Sequence, residues 1–212
     1  LFIGIETMGS TMKPLANSQV FLDMIGAVAD IPILGLLLGT VMTVVVQSSS
    51  AVIAVLQNFA SQAGPDGVTS ILGLSGAVPI LFGSNIGTTI TAILACIGQT
   101  REAKRTAAAH SVFNITGSIL FMFVLGPFTK LVAMISPTGN EVEVISRQIA
   151  NAHTTFNVVN TIIWIPLIAL MVKIVMLLIP ERVDEKEEKI GAKFLDVKVI
   201  NQPVLDLNLV SK

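Results

Sequence analysis

The chain has 212 residues, 52% hydrophobic and 13% charged, with a mean hydropathy of +0.79 and a formal net charge of −1. Soluble domains carry about 25% charged residues, so this composition predicts an integral membrane chain, and the lack of a basic excess excludes nucleic acid as a partner. The single cysteine, Cys96, excludes an internal disulfide framework and reads as a packing residue within an apolar stretch.

The opening LFIGIETM reads as the end of an apolar helix already under way, not as a secretory leader. Between Met12 and Asp30, the apolar Val20, Phe21, Met24, Ile25 and Val28 recur at helical spacing among Lys13, Asp23 and Asp30. Segment 1–30 is therefore a helix end followed by an amphipathic interfacial helix. Glu6 reads as a boundary carboxylate in water; within the membrane it would be a coupling group.

Ile31 to Pro65 contains no charge. As one straight helix it would run about 50 Å, against a hydrocarbon core of about 30 Å. Four consecutive polar side chains, Gln47, Ser48, Ser49 and Ser50, interrupt it. One serine can hide by bonding back to the carbonyl a turn earlier. Three in succession point in three directions, and an unpaired polar group in hydrocarbon is costly. The pattern predicts a re-entrant hairpin over 31–67, with half-helices Ile33–Val46 and Ala51–Ser61 meeting at a tip whose hydroxyls and freed backbone groups face a solute. Gly35 and Gly39, four apart, admit a neighbouring helix closely. Gly64–Gly67 (GPDG) forms the turn back.

Val68 to Thr100 is also free of charge and has its own polar interruption, GSNIGTT from Gly83 to Thr89. It predicts a discontinuous transmembrane helix over 68–100, unwound at its glycines, with Ser84, Asn85, Thr88 and Thr89 supplying neutral oxygens for a hard cation. A Ser/Thr-rich packing seam would explain either polar segment alone; the two in succession favour a site.

Arg101, Lys104 and Arg105 place loop 99–106 in the cytoplasm by the positive-inside rule. Transmembrane helices are predicted over 107–129 and 151–179, separated by an external loop, 130–150. The charged segment 180–212 then reads as a cytoplasmic tether, and the hairpin enters from the external face. AHSVFN (Ala109–Asn114) and AHTTFN (Ala152–Asn157) place one histidine on each of the last two helices. With no carboxylate in either motif, His110, His153, Asn114 and Asn157 read as hydrogen-bonding scaffold between helices, not as proton or metal groups. Enzymatic chemistry has no support: QSSS lacks the strand–turn–helix setting of a nucleophile elbow, no Cys/His cluster suits zinc, and no P-loop is present.

GTVMTVVVQSSSAVIAVL followed by GSNIGTTITAIL resembles the type II sodium-dependent phosphate cotransporter family, over roughly residues 1–180. Gln47–Ser50 match its QSSS signature and Gly83–Thr89 its downstream G-(A/S)-N-I-G-T-T segment. Members carry two inverted repeats with one QSSS each, so the resemblance implies the second repeat alone. Its partner would be an inverted first repeat upstream of Leu1, or a second subunit. The implied fold is an all-α integral membrane protein, one half of an inverted-repeat transporter with a re-entrant helical hairpin and a broken transmembrane helix. The implied function is sodium-coupled symport of inorganic phosphate across the plasma membrane by alternating access, with sodium as coupling ion and no other cofactor. Gln47, Ser48, Ser49, Ser50, Ser84 and Asn85 would bind phosphate; Gln47, Ser48, Ser49, Thr88 and Thr89 would bind sodium. In bacterial relatives such a tether leads to a PhoU-like helical domain, a candidate cytoplasmic partner. The residues themselves leave open a carrier of another small anion, or a membrane phosphate sensor acting through a cytoplasmic domain.

Overall fold

The computed structural model describes residues 30–64 and 66–181, together with residues 4, 7, 27 and 28. The expected interfacial helix of segment 1–30, Glu6 and the tether beyond residue 181 fall outside the described residues. Among those described, seven helices follow one another: α1 (Pro32–Val46), α2 (Ser49–Ala60), α3 (Gly73–Ala95), α4 (Arg101–Phe123), α5 (Leu125–Met134), α6 (Glu141–Trp164) and α7 (Ile168–Leu178). There is no strand among them, only an isolated bridge between Ala63 and Ser70. The chain is all-α.

Local chemistry sets the boundaries. Pro32 stands in the first turn of α1, where a missing N–H costs nothing. That helix stops at Gln47, whose φ of 56° is left-handed. Ser48 then caps α2, its Oγ accepting from the Ala51 amide at 3.3 Å. α4 breaks at Val124 because Pro127 can occupy the first turn of a new helix but not the interior of the old one.

α1 and α3 run in the same direction. Gly35 faces Pro79, Gly39 faces Ile80, the Thr40 hydroxyl donates to Gly83 O at 3.1 Å, and Thr43 donates to Ser84 Oγ at 2.8 Å. The Ser70 hydroxyl, just before α3, donates to Ala60 O at the end of α2. α2 therefore runs back against α1, and the two form a helical hairpin whose tip is Gln47–Ser48. Asp66 shapes the return loop, accepting from the Val68 and Thr69 amides at 3.0 and 2.9 Å and from Thr69 Oγ1 at 2.7 Å.

The expectations for the later helices need correction. The break foreseen at Gly83–Thr89 is absent: α3 is continuous from Gly73 to Ala95. The glycines of GSNIGTT serve approach rather than unwinding. A Cβ on Gly83 would lie 1.9 Å from Leu36 O, and one on Gly87 2.6 Å from Thr40 O. Gly35 and Gly39 mirror them on α1, so two small-xxx-small faces press backbone to backbone. The span foreseen over 107–129 starts earlier, at Arg101, and ends at Phe123. The loop foreseen over 130–150 shrinks to residues 135–140, because α5 reaches Met134 and α6 begins at Glu141. The span foreseen over 151–179 bends by 88° between α6 and α7, at the segment holding Pro166.

Four phenylalanines bind the helices together. Phe82 of α3 sits 6.0, 5.5 and 5.1 Å, centroid to centroid, from Phe121 of α4, Phe128 of α5 and Phe156 of α6. Phe121 meets Phe128 and Phe156 edge-on, each at 5.1 Å. Such tilted contacts add about 0.5–1.5 kcal/mol each beyond buried area. The outer faces are apolar too: Val45 is 76% exposed, Met134 83% and Phe123 85%. Surfaces of that kind need lipid or protein against them. α3 and α4 are long and apolar enough to cross a membrane, and the bent pair α6–α7 makes a third span if counted as one. The start of α4 and the end of α7 meet, Arg101 and Arg105 (Nε to O, 3.1 Å) donating to the carbonyls of Pro180 and Ile179.

Candidate functional site: the polar tip of the helical hairpin

At the tip the backbone itself is left unpaired. The carbonyls of Val44, Val45 and Val46 and the amides of Ser48, Ser49 and Ser50 have no hydrogen-bond partner among the described residues, whereas the Gln47 amide still reaches Thr43 O at 2.7 Å. The negative end of one helix dipole and the positive end of another thus converge within a few residues. The side chains of Gln47, Ser49 and Ser50 likewise have no partner among the described residues; Gln47 and Ser50 are exposed, Ser48 and Ser49 half-buried. Such a junction offers carbonyl oxygens to a cation, and amides and hydroxyls to an anion, on one small surface. Among the described residues no group of three His, Cys, Asp or Glu side chains is placed to hold a metal ion.

The second predicted segment divides in two. Ser84 lies on the hairpin side of α3, bonded to Thr43, and the register of α1 against α3 carries the tip to the level of the turn holding Thr88 and Thr91. At about 100° per residue, Thr88 shares that side. Asn85 and Thr89 point the other way, toward the face carrying Phe82. All four side chains are engaged locally: Asn85 Nδ2 donates to Leu81 O at 3.0 Å, Thr88 to Ser84 O at 2.8 Å, Thr89 to Ile86 O at 2.8 Å, and Ser84 Oγ accepts from Thr43. Because α3 is unbroken, it frees no run of backbone carbonyls.

Two residues that tie the tip to α3 were not singled out from the sequence. Thr43 is fully buried, one turn before Gln47, and its hydroxyl joins Ser84. Thr40 shares its hydroxyl between Leu36 O at 2.8 Å and Gly83 O. Their signal was threonine at i−4 and i−7 from the polar cluster, on the stripe of Gly35 and Gly39.

The two histidine motifs do not bridge helices as foreseen. Asn114 and Asn157 each donate to the carbonyl of the histidine a turn earlier on the same helix, at 3.0 and 2.8 Å. The bridge is made by Asn160, outside both motifs, whose Nδ2 donates to Phe113 O at 3.1 Å while Gly117 makes room for its amide. In the hairpin's return loop, the hydrogen bond from the Thr69 side chain, then those from the Thr69 and Val68 amides, hold the Asp66 carboxyl below its ordinary pKa.

Comparison with known proteins bears on the same stretch. The sequence profile of a family described as Na+/Pi-cotransporter matches residues 1–151. The uncharacterized protein YqeW of Bacillus subtilis is 35% identical over 137 residues, which are 65% of this chain and 42% of that protein. The human sodium-dependent phosphate transport protein 2B is 38% identical over 112 residues, 50% of this chain and 15% of the human one. The sheep sodium-dependent phosphate transport protein 2A is 40% identical over 100 residues, 45% and 14% of the respective chains. The chain thus spans less than half the length of each of these relatives. No solved structure matches it significantly.

Proposed function

The chain belongs to the Na+/Pi-cotransporter family, a family of transporters and not of enzymes, and on that premise we propose that it supplies one repeat of a sodium-coupled phosphate symporter. The observation that carries this reading is the hairpin tip, where unpaired carbonyls, amides and hydroxyls meet inside an apolar helical pair. Phosphate lies against the α2 end, held by Ser48, Ser49 and Ser50, by the side-chain amide of Gln47 and by Ser84 from α3. Sodium lies against the α1 end, with Gln47, Ser48, Ser49 and Thr88 as oxygen donors. Asn85 and Thr89, buried on the opposite face of α3, belong to the phosphate and sodium sets and reach the ions through a rearrangement of that helix. No cofactor takes part beyond sodium as coupling ion. Each ion lowers the cost of placing the other in a low-dielectric site, so sodium tightens phosphate and phosphate tightens sodium.

A serine-lined site without lysine or arginine suits a carrier, because a fixed cation would oppose release. The hairpin is re-entrant, its open ends facing outward and its tip pointing toward the basic end with Arg101 and Arg105. Loop 99–106 and the chain beyond Pro180 are cytoplasmic, the 130–150 region is external, and the membrane is the plasma membrane. Rocking against an inverted partner, whether the first repeat or a second subunit, gives alternating access. A PhoU-like domain following the tether would be a further partner.

The test is sodium-driven uptake of labelled phosphate into vesicles holding the full-length protein, with Ser49→Ala and Gln47→Ala beside the unaltered chain. Each variant is expected to lose most of the uptake while still reaching the membrane. Undiminished uptake in both would remove the tip from the mechanism. Competition by sulfate or dicarboxylates stronger than by unlabelled phosphate would assign the site to another anion.

A further inference from the structure

An open cleft of about 460 Å³ lies between the end of α3, the first half of α4 and the end of α7, away from the hairpin tip. Ile93, Ile97, Val112, Ile115 and Leu178 give it apolar walls. The one hydroxyl among its lining residues, Ser111, is spent on Ala107 O at 2.9 Å. Its single charged lining residue is Lys104.

Lys104 differs from its neighbours. Arg105 donates to Ile179 O and lies 4.0 Å from Glu181, and Arg101 donates to Pro180 O, so both arginines fasten the exit of α7. Lys104 is exposed and has no partner among the described residues. Along α4 the cleft runs from Lys104 to Ile115, about 16 Å. That is close to the hydrocarbon depth of one leaflet, half of about 30 Å. A cleft one leaflet deep, apolar along its length and cationic at its outer end, has the dimensions and charge of a phospholipid.

We propose that this cleft holds an acyl chain of an anionic phospholipid in the leaflet at the basic end of the molecule, with the headgroup phosphate against Lys104 Nζ. The proposal rests on the chain lying in a bilayer, and it is independent of what the hairpin tip binds. An acyl chain supplies the apolar surface that Ile97, 67% exposed, and Leu178, 59% exposed, lack, and the lysine selects the headgroup by charge.

The experiment is native mass spectrometry of the full-length protein, delipidated in detergent and titrated with phosphatidylglycerol or with phosphatidylcholine of the same acyl chains. Phosphatidylglycerol is expected to bind more tightly. Lys104→Gln should weaken it about five-fold, the effect of one basic residue at a charged membrane surface, and leave phosphatidylcholine unchanged, while Lys104→Arg retains the preference. Ala108→Phe, which fills the cleft, should reduce both lipids. Equal binding of the two lipids, or no response to Lys104→Gln, would overturn the proposal. So would displacement of phosphatidylglycerol by inorganic phosphate, which would make this a free-anion site, or the failure of either added lipid to bind the full-length protein, which would mean that protein covers the cleft.

Discussion

Replacing Gly39 with alanine tests the contact on which the position of the tip depends. The new Cβ would stand 1.9 Å from Ile80 O, and real Cβ contacts do not fall below 3.0 Å. The obstructing atom belongs to a helix backbone and cannot rotate away, so α1 and α3 must part by the shortfall of about 1.1 Å or more. Overpacking of this kind costs about 1–3 kcal/mol. Separation also stretches the bonds from Thr40 to Gly83 and from Thr43 to Ser84, now 3.1 and 2.8 Å, and strands the fully buried Thr43 hydroxyl at about 1–3 kcal/mol. The better helix propensity of alanine returns about 1 kcal/mol. The net expectation is a loss of about 1–5 kcal/mol, with sodium-driven uptake falling because the tip leaves its register with α3. The assay is thermal unfolding of the full-length protein in detergent beside uptake in vesicles, with a graded series as control. Gly83→Ala should match Gly39→Ala, Gly35→Ala, at 3.1 Å from the Pro79 side chain, should be milder, and Gly126→Ala, with nothing within 4 Å, should be neutral or slightly stabilising. If Gly39→Ala proves as stable and as active as Gly126→Ala, the backbone contact does not hold the hairpin and the argument fails.

Gln47 combines a left-handed backbone with a proposed ligand, and two substitutions separate these roles. Gln47→Gly should relieve about 1 kcal/mol of strain and raise the melting temperature while uptake falls; equal stability of Gln47→Gly and Gln47→Ala would argue against strain at φ 56°. Thr43→Val should destabilise by about 1–3 kcal/mol, since it leaves the buried Ser84 hydroxyl without its donor, and the double variant Thr43→Val, Ser84→Ala should recover part of that loss in the same unfolding assay. Phe82→Ala removes the ring shared by three aromatic contacts and should cost about 3–5 kcal/mol, read from the unfolding midpoint. The Asp66 carboxyl has a lowered pKa in the folded protein, so its contribution is complete above its unfolded pKa and disappears as pH falls through the folded one. Acidification through that window should loosen the 64–70 turn, seen as lower protection factors at Val68 and Thr69 relative to the intrinsic exchange rate at each pH, and Asp66→Asn should show the low protection already at neutral pH and no acid transition.

The sequence exposed the hairpin more readily than the helix beside it, and the reason is physical. Four polar residues in an unbroken apolar run have no satisfactory straight-helix solution, so Gln47–Ser50 predict their own break, and the chain turns at Gln47. Gly83 and Gly87 carry no such compulsion. Glycine can unwind a helix or admit a neighbour, and the choice depends on what stands opposite, which is distant in sequence. The carbonyls of Leu36 and Thr40 stand there, so α3 stays whole and its hydroxyls turn inward to their own turns or to Thr43. The same ambiguity holds for Asn114 and Asn157: an asparagine can bond to a neighbouring helix or to the carbonyl a turn below it, and both take the second course. Asn160, opposite the gap left by Gly117, crosses. A local conflict between polarity and hydrophobicity is therefore legible from one chain, whereas glycine or asparagine takes its role from the surface it meets. It follows that the hairpin alone dictates the proposed ligand set at Gln47 to Ser50. At Asn85 and Thr89 the neighbours of α3 decide instead, and they turn both side chains away from the tip.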